Sequence, residues 1–437
     1  MDISDNSRTV GFWLLFLMCM NSMGGAGVFI NAKPLAFLAG KLSFLSYLVG
    51  LVVIFPIVLV LTGLAQQKPV AGGLYRYAKD ELGAGLGFLG AWSYFLSKVV
   101  SIAVLAQAFT VPFKLLMPNL SVFVGTVLDV SMLLIIVGLN VFGLRLYGPV
   151  QLLFTFIKSI PYLSIIVVSA IMLAKGRFDN LLQFAQGSDL FASFPSAIFA
   201  ISGFEIVCTM AHTVQNPEKT IRRAALSAFA CVGFLYIAFQ VGSQLLCGSE
   251  LAIAGSPFTF IATKLSDYFG VGGQVVGVFM RLTTITITFS LLANNCWILY
   301  AIARDKLLPF STLLTKVNCN EVPWVCLLIE VLLATFIMSI TQNQVALQAM
   351  SVFATGISFT FCAVAGAFYW RKNNNNLKEV CVAGFAIISC LIMLSISAKS
   401  ILREGLSLPF LAIFFSGILL ALLKKLWVLC DQKNNND

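Results

Sequence analysis

The sequence predicts an all-α membrane protein of about 12 transmembrane helices, and three observations carry that prediction. First, 59% of the 437 residues are hydrophobic and only 11% are charged, with a mean hydropathy of +0.94. Soluble domains carry roughly 25% charged residues, so the polar skin of a water-soluble enzyme cannot be built here. Second, apolar runs of bilayer-crossing length recur along the whole chain, and at roughly 35 residues per span and loop there is room for about twelve. Third, these runs lack the dyad alternation of an outer-membrane barrel.

Taken in order, the first span is predicted over 11–38. It is interrupted by Met23-Gly24-Gly25-Ala26-Gly27 and resumes at Val28-Phe29-Ile30, so it reads as a broken helix rather than a cleaved signal peptide. Uninterrupted apolar runs place the second span at 43–66 and the third at 84–112, the latter containing Lys98. The fourth, 121–142, contains Asp129; the fifth, 148–174, contains Lys158 beside Pro161, a tolerated kink in a membrane helix. The sixth, 192–213, carries Ile201-Ser202-Gly203-Phe204-Glu205 near its middle, and the seventh follows at 224–247. The eighth, 274–303, holds Arg281 and the amide pair Asn294-Asn295; the ninth, 322–340, holds Glu330. The tenth (345–370), eleventh (378–398) and twelfth (407–428) complete the set. Asp129 and Arg281 are read near span ends, and Lys98 as the one of these remaining charges that faces a cavity.

With the N-terminus inside, 17 Lys and Arg fall in inner segments, among them Lys68, Arg76, Lys79, Lys219, Arg222, Arg223 and Arg304, against 7 in outer ones. This bias predicts both termini in the cytoplasm. The net charge of +10 therefore reports membrane orientation, and no nucleic-acid partner is expected. The 11 Cys lie mostly inside apolar runs without CxxC or Cys/His spacing, and there is one histidine, His212, expected at the membrane interface. No HExxH or GxSxG motif is present, which argues against a membrane-embedded enzyme; no metal or cofactor is expected. The Asn373–Asn376 run and the Asn434–Asp437 tail read as a solvated turn and a frayed end.

The two glycine-interrupted spans stand five spans apart. Five is odd, so the second set of five enters the membrane from the opposite side. This predicts a 5+5 inverted repeat, residues 1–174 matching 192–370, followed by two further helices and a tail over 378–437. Paired breaks of this kind point to a midplane site. The N–H groups opening each half-helix favour an anion, and the carbonyls ending the preceding half favour a cation. A zwitterion satisfies both, so Met23, Gly24, Gly25, Ala26, Gly27, Ser202 and Gly203 are candidate binding residues. Glu205 needs its own explanation, since a charge near mid-bilayer costs about 2.5–3.5 kcal/mol or more; it is expected to line the cavity.

Four stretches resemble the amino acid–polyamine–organocation superfamily of transporters. They are Gly24-Gly25-Ala26-Gly27-Val28-Phe29; Pro69–Tyr77 continuing to Gly87–Trp92; Phe199–Glu205 followed by Gln215-Asn216-Pro217-Glu218-Lys219; and Ala303-Arg304-Asp305-Lys306-Leu307-Leu308-Pro309. The resemblance covers roughly residues 10–310. It implies a secondary active transporter of amino acids, working by alternating access and either proton-linked or by exchange. A cationic amino acid or its amine, in the manner of the basic amino acid and polyamine antiporters, and a proton-coupled neutral amino acid both remain open, as does a sensor that binds without transporting. By resemblance, Glu205 and Lys158 are the proton-coupling residues, the lysine standing where sodium sits in sodium-coupled relatives. Phe199 falls where arginine-type antiporters lid the substrate with an aromatic, usually Trp, and Asn294 falls where they carry another aromatic; the second departure weakens guanidinium stacking. The expected partners are an amino acid or amine, protons and the lipid bilayer, with monomer or homodimer undecided. The expected location is a bacterial inner membrane.

Overall fold

The computed structural model describes residues 9–70, 72–116, 121–142, 147–176, 189–373, 377–405, 411–412, 414–419 and 422. The apolar runs fold as helices because the bilayer offers no water to backbone N–H and C=O groups, leaving each run to satisfy its own. The first span is a pair, α1 (Phe12–Met23) and α2 (Gly27–Ala39), bent by 43° at the glycine cluster. There follow α3 (Ser43–Gln67), α4 (Gly73–Leu82), α5 (Ala84–Leu116), α6 (Val122–Val141) and α7 (Tyr147–Ala174). The sixth span divides into α8 (Phe194–Ile201) and α9 (Ile206–Met210). Then come α10 (Pro217–Cys247), α11 (Pro257–Phe269), α12 (Val271–Arg304), α13 (Ser311–Leu314), α14 (Trp324–Ile340), α15 (Gln344–Asn373) and α16 (Leu377–Arg403). Eleven of the expected spans thus have a helical counterpart at nearly the expected bounds. The twelfth, 407–428, lies largely outside the described residues, as do Arg8, Arg145, Arg177, Asn374–Asn376 and the Asn434–Asp437 tail.

Three helices were not expected: α4, α11 and the single turn α13. In α4, Leu74, Tyr75, Tyr77 and Ala78 are buried while Arg76 and Asp80 face out, so it lies as an amphipathic segment on one end of the bundle. In α11, Pro257 opens the helix and Phe258, Ile261, Ala262 and Leu265 share one buried face. Both are too short and too polar to register as spans.

Helix α5 is the axle of the bundle, with Phe95, Val99, Ile102, Ala103 and Ala106 wholly buried. Outward-facing Phe123, Ile135, Phe156, Leu332, Phe385 and Ile388 give the bundle an apolar exterior suited to lipid. The two broken spans cross with their backbones almost touching. A Cβ on Gly203 would lie 2.5 Å from Ser22 O, and one on Gly27 would lie 2.9 Å from Ala200 Cα. Along the crossing one residue number rises from 22 to 27 while its partner's falls from 203 to 200, so the two spans run antiparallel.

The end of the bundle that holds Val10 is tied by hydrogen bonds and ion pairs. Val10 N–H donates to Thr213 O (3.0 Å) and Gln215 N–H to Val10 O (2.9 Å), joining the start of the first span to the exit of the sixth. Asp305, at the end of α12, accepts from Tyr75 Oη (2.5 Å) and from Lys79 Nζ on α4. Lys68 pairs with Glu81 (2.5 Å) and Arg222 with Glu379 (3.1 Å). Burial works to raise the Asp305 carboxyl, but Lys79, Tyr75 and Arg304 outweigh it and hold the group below its ordinary value of 3.8.

Two outcomes follow from this packing. Gly203→Ala puts a methyl against Ser22 O at a φ of +131° and is expected to cost about 2–4 kcal/mol or more, read as a lower thermal unfolding midpoint in detergent. Gly138→Ala, with nothing within 4 Å, is expected to leave that midpoint in place. Because the folded Asp305 carboxyl is depressed, its contribution is complete above the ordinary carboxylate range and is lost as pH falls. Asp305→Asn is therefore expected to be less stable than the parent at pH 7, by about 1 kcal/mol or less, with the gap closing below about pH 4.

Candidate functional site

Helix α1 ends where three residues without side-chain bulk meet. Gly24 N–H reaches back to Met20 O (2.7 Å) and Gly25 N–H to Met23 O (2.6 Å), a tight turn after which α2 restarts at Gly27. The break frees carbonyls on one side and N–H groups on the other, and most find side-chain partners. Tyr236 Oη, on α10, donates to Met23 O (2.5 Å), lies 3.3 Å from Ala200 O and accepts from Gly25 N–H (3.1 Å). Tyr162 Oη, on α7, donates to Gly25 O (3.2 Å). Lys158 Nζ donates to Asn21 O (2.9 Å) and to Asn21 Oδ1. The first-turn N–H groups of α2, on Gly27, Val28 and Phe29, have no carbonyl of the preceding turn to bond among the described residues.

The second break is built differently. Ser202 turns extended (φ −63°, ψ 148°), and its N–H and hydroxyl both return to Ile198 O (3.1 and 2.9 Å). Gly203 then takes a φ of +131°, and its N–H is capped by Glu205 Oε2 at 2.8 Å. The other carboxylate oxygen accepts Lys98 Nζ (2.6 Å) and Tyr94 Oη (3.1 Å), both from α5. Tyr94 and Lys98 are one helical turn apart, and the ammonium sits 4.8 Å from the centroid of the Tyr94 ring. Glu205 is 1% exposed and Lys98 6%. A buried pair of this kind holds only when further hydrogen bonds complete it, and Gly203 N–H and Tyr94 Oη do so. The charge of Glu205 is thus met by Lys98 within the bundle.

Two small cavities flank the end of α1. One, of about 30 Å³, is lined by Ser22, Tyr94, Lys98, Glu205, Thr209 and Asn294 among others. That is room for about one water. The second, of about 130 Å³, is lined by Asn21, Gly24, Lys158, Ser159, Tyr162 and Tyr236 among others. A depression of about 540 Å³, involving Lys33, Phe37, Gln107, Phe258, Gln342 and Asn343, lies at the end opposite the N-terminus.

The candidate residues separate accordingly. Glu205 and Asn294 share the first cavity, Asn294 Nδ2 donating to Ser290 O (2.8 Å). Lys158 and Gly24 share the second, so the two expected proton-coupling residues occupy different chambers. Met23 is buried and contributes its carbonyl; Gly25 faces Ile287. Phe199 is half-buried against the core and lines neither cavity, and the Ser202 hydroxyl is spent on Ile198 O. The placement of Asp129 at a span end is corrected: it is fully buried within α6 and accepts from Thr110 Oγ1 (2.5 Å). Arg281 also lies inside its helix, partly exposed, donating to Thr259 Oγ1 (3.2 Å). Glu330 is buried in α14, and His212 is half-buried in the turn after α9. Missed in the sequence were Asn21, Tyr94, Tyr162 and Tyr236. Only Tyr94 left a trace there, in its one-turn spacing from Lys98.

Comparison with known proteins joins this geometry to a family. Residues 15–417 match the family model described as amino acid permease. The serine/threonine exchanger SteT of Bacillus subtilis is 26% identical over 391 residues, covering 87% of each chain. An uncharacterized amino acid permease of the same organism, YtnA, is 28% identical over 263 residues, covering 57% of this chain and 56% of the relative. The L-asparagine permease of Escherichia coli is 24% identical over 327 residues, covering 70% of this chain and 64% of the relative.

Tyr236→Phe removes the hydroxyl that joins Met23 O and Gly25 N–H and leaves those two groups only each other. It is expected to cost about 1–3 kcal/mol, read as a fall in thermal unfolding midpoint in detergent.

Proposed function

We propose that this chain, which belongs to the amino acid permease family, carries an α-amino acid across the membrane by alternating access. The observation that carries the reading is the antiparallel crossing of two broken spans, beside which the first turn of α2 offers N–H groups that no carbonyl takes. The substrate carboxylate binds at the open N–H groups of Gly27, Val28 and Phe29, beside Gly25 and Ala26, and its ammonium binds at the carbonyls that end α8, near Phe199 and Ser202. Met23, Gly24 and Gly203 shape the crossing, and Asn294 faces the side chain. The relatives' names support this reading: serine, threonine and asparagine are all zwitterions with small side chains.

Alternating access needs one end closed while the other is open. The ties through Val10, Thr213, Gln215, Asp305, Tyr75 and Lys79 close the N-terminal end, and the 540 Å³ depression opens the other. The positive charges concentrated at the N-terminal end support a cytoplasmic location for it, with the chain in a bacterial inner membrane. One helix bundle, carrying the two broken spans, rocks against the remaining helices as a scaffold.

Proton linkage is assigned to Lys158. Its ammonium is held by neutral oxygens of Asn21 at the end of α1, so gaining or losing a proton changes the net charge at the break directly. Glu205, expected to share this role, is engaged by Lys98. A second reading, exchange of one amino acid for another, is favoured by the exchanger that matches across 87% of its length.

Uptake of labelled serine, threonine, alanine and asparagine into proteoliposomes tests the reading. Saturable uptake raised several-fold by an acid exterior is expected, and Lys158→Gln is expected to flatten that pH dependence. Uptake that ignores the gradient and requires internal amino acid selects exchange. Failure to take up any amino acid removes the transport reading.

A further inference from the structure

We propose that Lys98 is a resident counter-ion that sets which side-chain charge the transporter accepts, admitting uncharged side chains and refusing cationic ones. The inference rests on the amino acid reading above and names the substrate class within it.

Glu205 lies two residues beyond Gly203, where the second broken span passes closest to the first, and its carboxylate lines the cavity shared by Ser22 and Asn294. A carboxylate in that position would recruit a substrate bearing a second ammonium, because attraction between charges strengthens in a low-dielectric chamber. The chain supplies that ammonium itself. Lys98 Nζ stands 2.6 Å from Glu205 Oε1, with both side chains all but inaccessible to solvent. Lys98 and Glu205 are also the two charged residues among those lining the cavity; the rest are Ser22, Thr209, two asparagines, Tyr94 and aliphatic side chains. The wall is thus neutral in sum. The cavity holds about one water in this closed form, so a substrate side chain reaches it only as the crossing opens; a lysine or ornithine side chain then meets a carboxylate already occupied and an ammonium of its own sign. A hydroxyl or amide meets Asn294, Thr209 and Ser22.

Lys158 does not disturb this balance. It lines the other cavity, on the far side of the Asn21–Ser22 backbone, and is spent on Asn21. The pair also bridges two elements that alternating access moves apart or together, α5 in the axle and the start of α9. A purely structural role would make it a clasp, with no bearing on selectivity.

The test is a selectivity ratio. Competition for uptake is measured with serine, asparagine, lysine, ornithine, aspartate and glutamate, using the full chain in proteoliposomes. The parent is expected to take up serine or asparagine with lysine and ornithine competing at least tenfold less well. Lys98→Met exposes the Glu205 carboxylate and is expected to move that ratio tenfold or more toward lysine and ornithine. Glu205→Gln exposes the ammonium and is expected to move it toward aspartate and glutamate instead. Because either single change strands a buried charge and can compromise folding, Lys98→Met/Glu205→Gln is the companion variant. Neutral again, it is expected to restore the parental ratio.

Uptake by folded single variants with an unchanged ratio overturns the proposal and leaves amino acid transport intact, as does a parent that prefers lysine or ornithine. If both singles fail to fold, a double variant that accepts lysine as readily as serine overturns it, and one that still refuses lysine supports a neutral wall as the determinant. A parent that takes up no amino acid at all defeats the transport reading, and the counter-ion proposal with it.

Discussion

A helix can be broken inside a bilayer only if something other than water takes up the backbone groups the break releases. That constraint organises the middle of this protein. At the first break the partners are neutral or cationic side chains from distant parts of the chain: Tyr236 for Met23 O and Gly25 N–H, Tyr162 for Gly25 O, and Lys158 for Asn21 O. Each lies more than a hundred residues away in sequence, so the break exists only in the assembled bundle. What the side chains leave over, the opening N–H groups of α2, is the part with chemical capacity to spare.

The second break obeys the same constraint by a different route. Glu205 caps Gly203 N–H from two residues downstream, so the partner is local and brings a full negative charge with it. A local cap needs no distant tyrosine, but the charge must then be met in a medium that tolerates no lone ions. Lys98 and Tyr94 meet it from α5. The two breaks are thus related in geometry and unlike in electrostatics. The first leaves open N–H groups for an anion, while the protein's own carboxylate occupies the second. This asymmetry would favour one orientation of the proposed zwitterionic substrate in the crossing.

The spans were legible because hydropathy over about twenty residues is a sum, insensitive to which neighbour each residue meets. The breaks were legible because glycine clusters are costly in helices and need a reason. Helices α4 and α11 escaped for the converse cause: thirteen residues or fewer with half their surface polar carry no span-length signal. The site was legible in its main chain and not in its partners. Lys98 and Glu205 each stood out as charges inside apolar runs, but nothing local joins residues 107 positions apart. Asp129 was misjudged because its distance from a helix end says nothing of what Thr110 offers it. Phe199, placed by resemblance, packs against the core, since a family's aromatic position fixes the residue's place along the helix and not the rotation that aims it.

The position of the two buried lysines suggests why the end of α1 is so tightly specified. Asn21 and Ser22 are consecutive, yet Asn21 lines the chamber of Lys158 and Ser22 the chamber of Lys98 and Glu205. One peptide unit therefore separates a cation held by neutral oxygens from a cation held by a carboxylate. A proton gained or lost at the first would change the net charge at the break; the second is held in a pair that sums to zero. Moving α1 must alter both environments, because the backbone of Ser22 abuts Gly203 while the Asn21 carbonyl grips Lys158. The proposed coupling of a proton to the substrate thus needs no long pathway in this fold. It needs only that one short stretch of main chain serve as the wall between two chambers, with glycine opposite it so that the wall can sit against the second broken span.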